Sequence, residues 1–120
     1  LNLFPVKEKG YIQTTTIRAV KPSLDGGSYE DIARKIFLPS NTEVGLANEN
    51  DIPEGAKWSY FNTASRIAYL TQQAYDNTLA TNKPSVIGNA WWWYLRTPQY
   101  SETHSVRGVQ TDGTLRNITA

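Results

Sequence analysis

The stretch Asn89–Pro98 has the sequence Asn-Ala-Trp-Trp-Trp-Tyr-Leu-Arg-Thr-Pro and contains three of the four tryptophans of the chain. Side chains alternate between the two faces of a strand, so both faces of this one would be bulky. One face would carry Trp91, Trp93 and Leu95, and the other Trp92, Tyr94 and Arg96. A strand that is apolar on both faces is typical of one covered on both sides. We therefore expect a central strand whose indole rings form part of the core.

The overall composition indicates one ordinary globular domain. A chain of 120 residues is long enough to bury a core of its own, and we predict a single domain over residues 1–120. The 12 basic and 11 acidic residues are mixed along the chain and give a formal net charge of +1. This balance provides no one-signed field for a nucleic acid. No apolar run approaches the roughly 20 residues that span a bilayer.

The chain contains neither cysteine nor methionine. The lack of cysteine excludes disulfide bonds, thiolate metal sites and thiol nucleophiles, and it leaves the cellular compartment open. The lack of methionine, with apolar residues from Leu1 onward, indicates a processed or excised part of a longer protein. One histidine is too few for a transition-metal site, so we expect neither a metal nor a cofactor.

Local patterns predict short elements in the first third of the chain. They are strands over Tyr11–Val20 and Lys35–Ser40, a short turn over Ser28–Ala33, and a short helix that begins at Ser40 and ends at Gly45. The first strand is rich in β-branched residues, and the second is a compact apolar run that we interpret as buried. Ser40 and Glu43 have the spacing of a capping box, in which each side chain accepts a hydrogen bond from the backbone of the other residue.

The best helical pattern begins at Asn62 or Thr63 and ends near Asp76. Its apolar residues recur every three or four positions, as one face of a helix requires, at Ile67, Leu70 and Ala74.

A β-hairpin is predicted after Pro98. Its strands are Ser105–Gln110 and Leu115–Thr119, joined by a turn with Gly113 in the left-handed position. Together with the tryptophan strand, the hairpin would make an antiparallel meander.

Arg96 has two interpretations. Its guanidinium group could hold Glu43 or a loop carbonyl and so clamp the meander to the capped turn, or it could hold an anionic ligand. The clamp is the interpretation we favour, because bidentate arginine is a common way to fix loops.

Aromatic residues near the loops could form a platform for sugar, since pyranose rings present apolar C–H faces that stack on aromatic rings. The candidate ligand-binding residues are Trp58, Tyr60, Trp92, Arg96 and Tyr100. No spacing rule makes this set specific.

Two further clusters carry candidate chemistry. Glu102 and His104 lie close in sequence and could serve a hydrolase as acid and base, although adjacency does not supply the geometry of a catalytic site. The loop Asn48–Asp51 has four oxygen-bearing side chains that a calcium ion could use, but its spacing matches no calcium loop. We interpret the loop as solvated, together with the carboxylates nearby, including Glu54.

Two segments resemble a bacterial and phage domain family of unknown function. They are Phe-Leu-Pro-Ser-Asn-Thr-Glu at Phe37–Glu43 and Trp-Tyr-Leu-Arg-Thr-Pro at Trp93–Pro98, and a glycine-containing hairpin follows them. That family is in turn similar to C-type-lectin-like and formylglycine-generating-enzyme-like domains. Here a tyrosine stands between the tryptophans and Leu95, which predicts a β-bulge. Segments of the family beyond both ends of the chain are missing, which implies an incomplete copy with an open sheet edge.

The resemblance implies an α+β fold, mainly an antiparallel sheet with short flanking helices, in an extracellular, cell-surface or virion setting. Formylglycine-type oxidation needs cysteines, and the tripeptides of calcium-dependent lectins do not occur here. We therefore expect a non-enzymatic binding or display module whose partner is a carbohydrate or a cell-surface or virion protein. The alternatives are a hydrolase that uses Glu102 and His104, and a purely structural assembly domain that oligomerises through its open edge.

Overall fold

The computed structural model describes residues 5–78 and 87–119. In chain order the elements are α1 (Val6–Lys9), β1 (Thr15–Val20), a single 3-10 turn (Ser23–Asp25), β2 (Tyr29–Arg34), β3 (Ala68–Tyr69), α2 (Gln72–Asn77), β4 (Ala90–Trp91), β5 (Trp93–Pro98), β6 (Ser105–Val109) and β7 (Leu115–Thr119). No helix in these two ranges is long and apolar enough to cross a membrane.

The strands form three small antiparallel sheets. Strand β1 pairs with β2, β3 pairs with β4, and the third sheet has the order β5-β6-β7. The prediction of an α+β structure with mainly antiparallel sheet and short helices is confirmed at this level. The prediction of one central sheet is wrong, because the strand pairs at β1–β2 and β3–β4 are separate from the larger meander.

Strand β2 replaces the short turn predicted over Ser28–Ala33. The chain reverses at Gly26 and Gly27, which have φ angles of 94° and 61°, and then pairs with β1 from Val20 opposite Tyr29 to Thr15 opposite Arg34. The complete ladder satisfies the backbone groups of this segment, so the weak capping signal at Ser28 does not begin a helical turn.

The segment Lys35–Ser40 is not the buried strand that its apolar run predicts. The side chains of Ile36 and Leu38 are exposed, and the segment is irregular. It lies along the free edge of β5, where the Arg96 amide donates a hydrogen bond to the Pro39 carbonyl at 2.9 Å. Pro39 has no N–H to donate in return, so the contact does not extend into a ladder.

The prediction of a long helix that begins at Asn62 is also wrong. Only α2 is helical, with Thr71 as its N-cap, and the residues Ala68–Tyr69 form β3. The apolar spacing is genuine, but the backbone at Ala68–Tyr69 pairs with Ala90–Trp91 instead. A tertiary strand pairing outweighs the local helical pattern here.

The tryptophan stretch is interrupted at Trp92 and lies at an edge of its sheet. On one face of β5, Leu95 and Thr97 are fully buried, whereas Tyr94 on the other face is 46% exposed. The expectation of a central strand covered on both faces is therefore wrong. The predicted irregularity is present, because the register against β6 shifts between Tyr94 and Pro98.

The hairpin is confirmed, and it completes a small core. Strands β6 and β7 pair from Ser105 opposite Thr119 to Val109 opposite Leu115. The core is a cluster of three fully buried side chains with three half-buried apolar neighbours: Val44, Leu95 and Val109, with Leu46, Phe61 and Trp93. In the described residues eight buried side chains are polar or charged and eight, with Pro22, are apolar, so polar contacts must carry much of the packing.

Gly113 at the hairpin turn is expected to be intolerant of a side chain. Its φ is +84°, and a Cβ there would lie 2.4 Å from the Thr63 carbonyl oxygen. We predict that Gly113→Ala lowers the free energy of unfolding by clearly more than the about 1–2 kcal/mol that a left-handed conformation costs alone. Urea denaturation measures the difference.

The matched control is Gly26→Ala, because Gly26 has a similar φ of +94° but nothing within 4 Å of the added Cβ. Equal destabilisation by the two substitutions would show that the turn tolerates the added methyl group.

Candidate functional site

The guanidinium group of Arg96 is held entirely by the protein. Nη1 donates to Glu43 Oε2 at 2.6 Å and to the Leu38 carbonyl at 2.9 Å. Nη2 donates to Glu43 Oε1 at 2.9 Å and to the Glu54 carbonyl at 3.2 Å. Nε donates to the Arg18 carbonyl at 3.1 Å. All five N–H groups of the arginine are used, as the clamp interpretation predicts, and none remains for a ligand.

Glu43 is positioned for this contact by the predicted capping box. The Ser40 amide donates to Glu43 Oε2 at 3.0 Å, and the Glu43 amide donates to Ser40 Oγ at 3.1 Å. The backbone makes a turn that ends at Gly45, which has a φ of 76°, so the short helix predicted from Ser40 to Gly45 is wrong. Local sequence therefore presents a preformed carboxylate to Arg96.

Glu54 is the feature that sequence reasoning missed. It was expected to be solvated, but its side chain is fully buried. Its Oε1 accepts a hydrogen bond from the Val20 amide at 2.9 Å, and its Oε2 accepts from the Thr97 hydroxyl. Burial raises the pKa of Glu54, although these hydrogen bonds and the charge of Arg96 partly oppose the shift. Nothing in the sequence around Glu54 predicts this burial.

Breaking the Arg96–Glu43 pair should be strongly destabilising, because the two side chains are only 10% and 7% exposed. We predict that Arg96→Ala lowers the free energy of unfolding by about 3–5 kcal/mol, since it leaves a buried carboxylate without its partner. Arg96→Lys keeps the charge but loses the planar fork, and should cost about 1–3 kcal/mol. Urea denaturation with circular dichroism measures both values.

Arg18→Lys is the matched control. Arg18 also binds a carboxylate through two nitrogens, that of Asp31, but these side chains are 35% and 44% exposed. We expect little change in stability for this variant. The clamp would be contradicted if the lysine substitutions at Arg96 and Arg18 had the same effect.

The raised pKa of Glu54 gives a pH dependence with a defined sign. The folded chain binds the Glu54 proton more tightly than the unfolded chain does, so this contribution to stability is present at low pH. It is lost as the pH rises from the ordinary value through the raised pKa. We predict that Glu54→Gln, which stays neutral, gains in Tm relative to the unsubstituted chain as the pH rises from about 4 to about 8.

Glu30→Gln, on the exposed face of β2, serves as the control for removal of a carboxylate. A difference for Glu54→Gln that stays flat, or that falls with rising pH, would contradict burial of the carboxylate.

A cavity of about 620 Å³ lies beside β5 and is the main candidate for a binding site. Its wall is formed by the consecutive residues Trp91–Tyr94 and its other sides by the segment Ala68–Thr71, by α2 and by Leu38. The rings of Trp92 and Tyr94 pack edge to face with centroids 5.3 Å apart, and Trp91 and Trp92 lie 6.3 Å apart. Cavities of this size and aromatic character hold small organic ligands in other proteins.

Polar groups supplement the aromatic wall. Thr71, Asn77 and Thr78 line the same cavity, at the two ends of α2. The hydroxyl of Thr71 accepts the capping hydrogen bond from the Ala74 amide, and that of Thr78 donates to the Ala74 carbonyl at 2.7 Å. A few placed polar groups in an apolar cavity are what fix the orientation of a ligand.

The structure does not bring the five predicted ligand-binding residues together. Only Trp92 lines the cavity. Trp58 and Tyr60 are exposed. Trp58 stacks on the ring of Phe61 and Tyr60 meets that ring edge to face, with centroids 5.9 Å and 5.2 Å from it.

Tyr100 is held elsewhere, and its amide donates to Glu49 Oε1 at 2.6 Å. Tyr69 also lines the cavity. The sequence analysis does not single it out, because Tyr69 is not among the apolar positions of the expected helix.

Glu102 and His104 lie outside the cavity. His104 Nε2 is 3.7 Å from Glu102 Oε2, and the histidine side chain is exposed. The same carboxylate oxygen accepts a hydrogen bond from the Ser105 hydroxyl at 2.5 Å. This arrangement places the two side chains next to each other at the surface.

In the loop Asn48–Asp51, Asn48 and Glu49 use their side-chain oxygen atoms within the protein. Glu49 binds the guanidinium group of Arg107, and Asn48 Oδ1 accepts from the Asn50 amide at 3.0 Å. Asn50 is buried, so the interpretation of this whole loop as solvated is wrong. Among residues 5–78 and 87–119 no group of three or more His, Cys, Asp or Glu side chains is placed to hold a metal ion.

Comparison with known proteins identifies the family. Residues 1–120 match the family described as "Domain of unknown function (DUF6273)", so the chain belongs to that family. No curated protein and no solved structure matches the chain. The description of the family names neither an activity nor a ligand.

Proposed function

We propose that this member of the DUF6273 family is a non-enzymatic binding module that holds a carbohydrate in the cavity beside β5. The observation that carries the proposal is the aromatic wall, in which Trp91, Trp92, Trp93 and Tyr94 line one space of about 620 Å³. Pyranose rings present apolar C–H faces, and flat aromatic surfaces cover such faces without leaving polar groups unpaired.

The dimensions and the lining of the cavity support a small ligand. Its volume lies within the range of roughly 300–1,000 Å³ that is usual for small-molecule sites. Tyr69 and Leu38, which also line the cavity, are exposed, so a ligand can enter the cavity from solvent. Asn77 and the threonines at both ends of α2 provide donors and acceptors for sugar hydroxyls.

The proposal also covers the cellular setting of the protein and the fold family to which its sheets belong. Small antiparallel sheets with long irregular connections, and a site formed beside a terminal meander, are compatible with a C-type-lectin-like architecture. We propose display on a bacterial cell surface or a phage particle, following the resemblance of the segments at Phe37–Glu43 and Trp93–Pro98.

Trp92 is the residue on which the test depends. We predict that a glycan array probed with the protein shows binding, and that Trp92→Ala weakens the affinity for the bound sugar about tenfold or more. The substitution removes the surface on which the sugar stacks, and it also removes the edge-to-face contact that holds the ring of Tyr94. Titration of the identified sugar by isothermal calorimetry gives the affinity.

Trp58→Ala is the matched control, because it removes an exposed indole that does not line the cavity. It should bind sugar as the unsubstituted protein does, and near-ultraviolet circular dichroism checks that both variants are folded. If no glycan binds, or if the two alanine variants bind equally, the carbohydrate proposal is wrong.

A further inference from the structure

Strand β2 has a free edge in the part of the chain that the structure describes. It pairs with β1 alone, in a two-stranded sheet. All of its side chains except that of Ile32 are exposed. A two-stranded sheet is only marginally stable by itself, and the free edge of a strand is a template for a further strand. We therefore consider β2 a candidate interaction surface.

The hydrogen bonds of β1 show which backbone groups of β2 point away from the hairpin. In an antiparallel pair, successive residues turn their N–H and C=O groups alternately toward the partner strand and away from it. The Val20 amide and the Arg18 carbonyl bind side chains outside the β1–β2 sheet, so both residues turn away from β2. They lie opposite Tyr29 and Asp31. Tyr29, Asp31 and, two residues further on, Ala33 therefore present their backbone groups at the free edge.

Two side chains from the same segment contact this edge. Arg34 Nη1 donates to the Ala33 carbonyl at 2.8 Å, and Ser28 Oγ donates to the Tyr29 carbonyl at 3.5 Å. Both side chains are exposed and have room to turn away. Within residues 5–78 and 87–119, no backbone group of another element is bonded to the outer edge of β2. The edge is therefore open to an added strand.

The side chains of β2 are self-complementary about Ile32. Glu30 and Arg34 lie two residues before and two residues after Ile32, on the same face, and have opposite charges. If two β2 strands paired antiparallel with Ile32 at the centre, Glu30 of each copy would lie opposite Arg34 of the other. The backbone groups of these residues point to β1, so at these positions the facing side chains approach most closely. A pair centred on Asp31 would instead place two carboxylates against each other.

We propose that two copies of this chain pair through the free edges of β2, antiparallel and centred on Ile32. The product is a four-stranded sheet with the order β1-β2-β2-β1. Charge complementarity selects a second copy as the occupant, because a two-fold axis brings each glutamate to an arginine and forms both contacts at once. Arg34 then leaves the Ala33 carbonyl, which accepts from the Asp31 amide of the partner subunit. This inference does not depend on the carbohydrate proposal.

The strength of the dimer follows from the size of the contact. One short strand edge on each copy gives a small interface, and small interfaces belong to weak, transient complexes. Sedimentation equilibrium of the unsubstituted chain between about 10 µM and about 1 mM should therefore show the mass rising from monomer toward dimer.

Two charge reversals test the register of the pairing. Glu30→Arg and Arg34→Glu each place like charges opposite one another at both contacts, so each should raise the dissociation constant of the dimer about tenfold or more. An equimolar mixture of the two variants should dimerise again, because each contact in the mixed pair joins opposite charges. Glu8→Arg and Lys7→Glu reverse charges on the exposed helix α1 and serve as controls that should leave dimerisation unchanged.

A proline substitution tests the strand edge itself. Ala33→Pro removes an amide that points outward, so it deletes a donor to the second copy without deleting a hydrogen bond to β1. The variant should stay folded and should dimerise about tenfold more weakly or not at all. Near-ultraviolet circular dichroism and thermal melts check the fold of every variant, and the charge variants decide the question if the proline variant is unfolded.

Several outcomes would overturn the proposal. A chain that stays monomeric over the whole concentration range does so directly. A dimer that withstands both charge reversals, or that the α1 controls weaken equally, does not use this register. Failure of the mixed variants to dimerise would mean that the reversals act through something other than the two contacts. A dimer that the folded proline variant leaves unchanged would lie on another surface.

Discussion

The fold depends on the saturation of one guanidinium group. Arg96 projects from the edge strand of the meander and joins the carboxylate of Glu43 to backbone carbonyls at Arg18, Leu38 and Glu54. These acceptors come from β1, from the segment along the sheet edge, and from the capped turn and the loop after it. A core with as many buried polar as apolar side chains cannot rely on hydrophobic area alone, and a fixed donor array gives such a core one defined arrangement.

The aromatic stretch serves both scaffold and site because its side chains alternate. On one face of β5, Trp93 packs on Phe61 and donates from its indole nitrogen to the Arg66 carbonyl, while Leu95 enters the core. Trp92 and Tyr94 line the cavity, as Trp91 and Trp93 do, and their rings meet edge to face. The break in pairing at Trp92 separates β4 from β5, so consecutive tryptophans can belong to two sheets. The packing of Trp93 and Leu95 against the core then preorganises Trp92 and Tyr94 for a ligand.

Features encoded by short-range interactions could be predicted from the sequence. The hairpin around Gly113 follows from turn chemistry and from the β-branched residues on both sides. The reciprocal hydrogen bonds of Ser40 and Glu43 follow from spacing alone. The sequence also predicts that Arg96 holds Glu43 or a loop carbonyl, and it holds both, although Glu43 lies far away in the chain. In each case the partners lie a few residues apart or have only a few chemical choices.

Contacts between residues far apart in the chain determine the features that the sequence did not predict. Ala68–Tyr69 has a helical spacing of apolar neighbours, yet it is a strand because Ala90–Trp91 satisfies its backbone. Glu54 has the sequence surroundings of a surface loop, and only the meeting of β1 with β5 buries it. The cavity has the same origin, since its walls come from segments far apart in the chain. The sequence by itself determined the hairpin turn at Gly113, the capping box of Ser40 and Glu43, and the α+β class, because these rest on contacts between near neighbours. Which strands pair, which carboxylate is buried and which rings share a cavity were decided by the tertiary structure, because those contacts join residues that no local pattern relates.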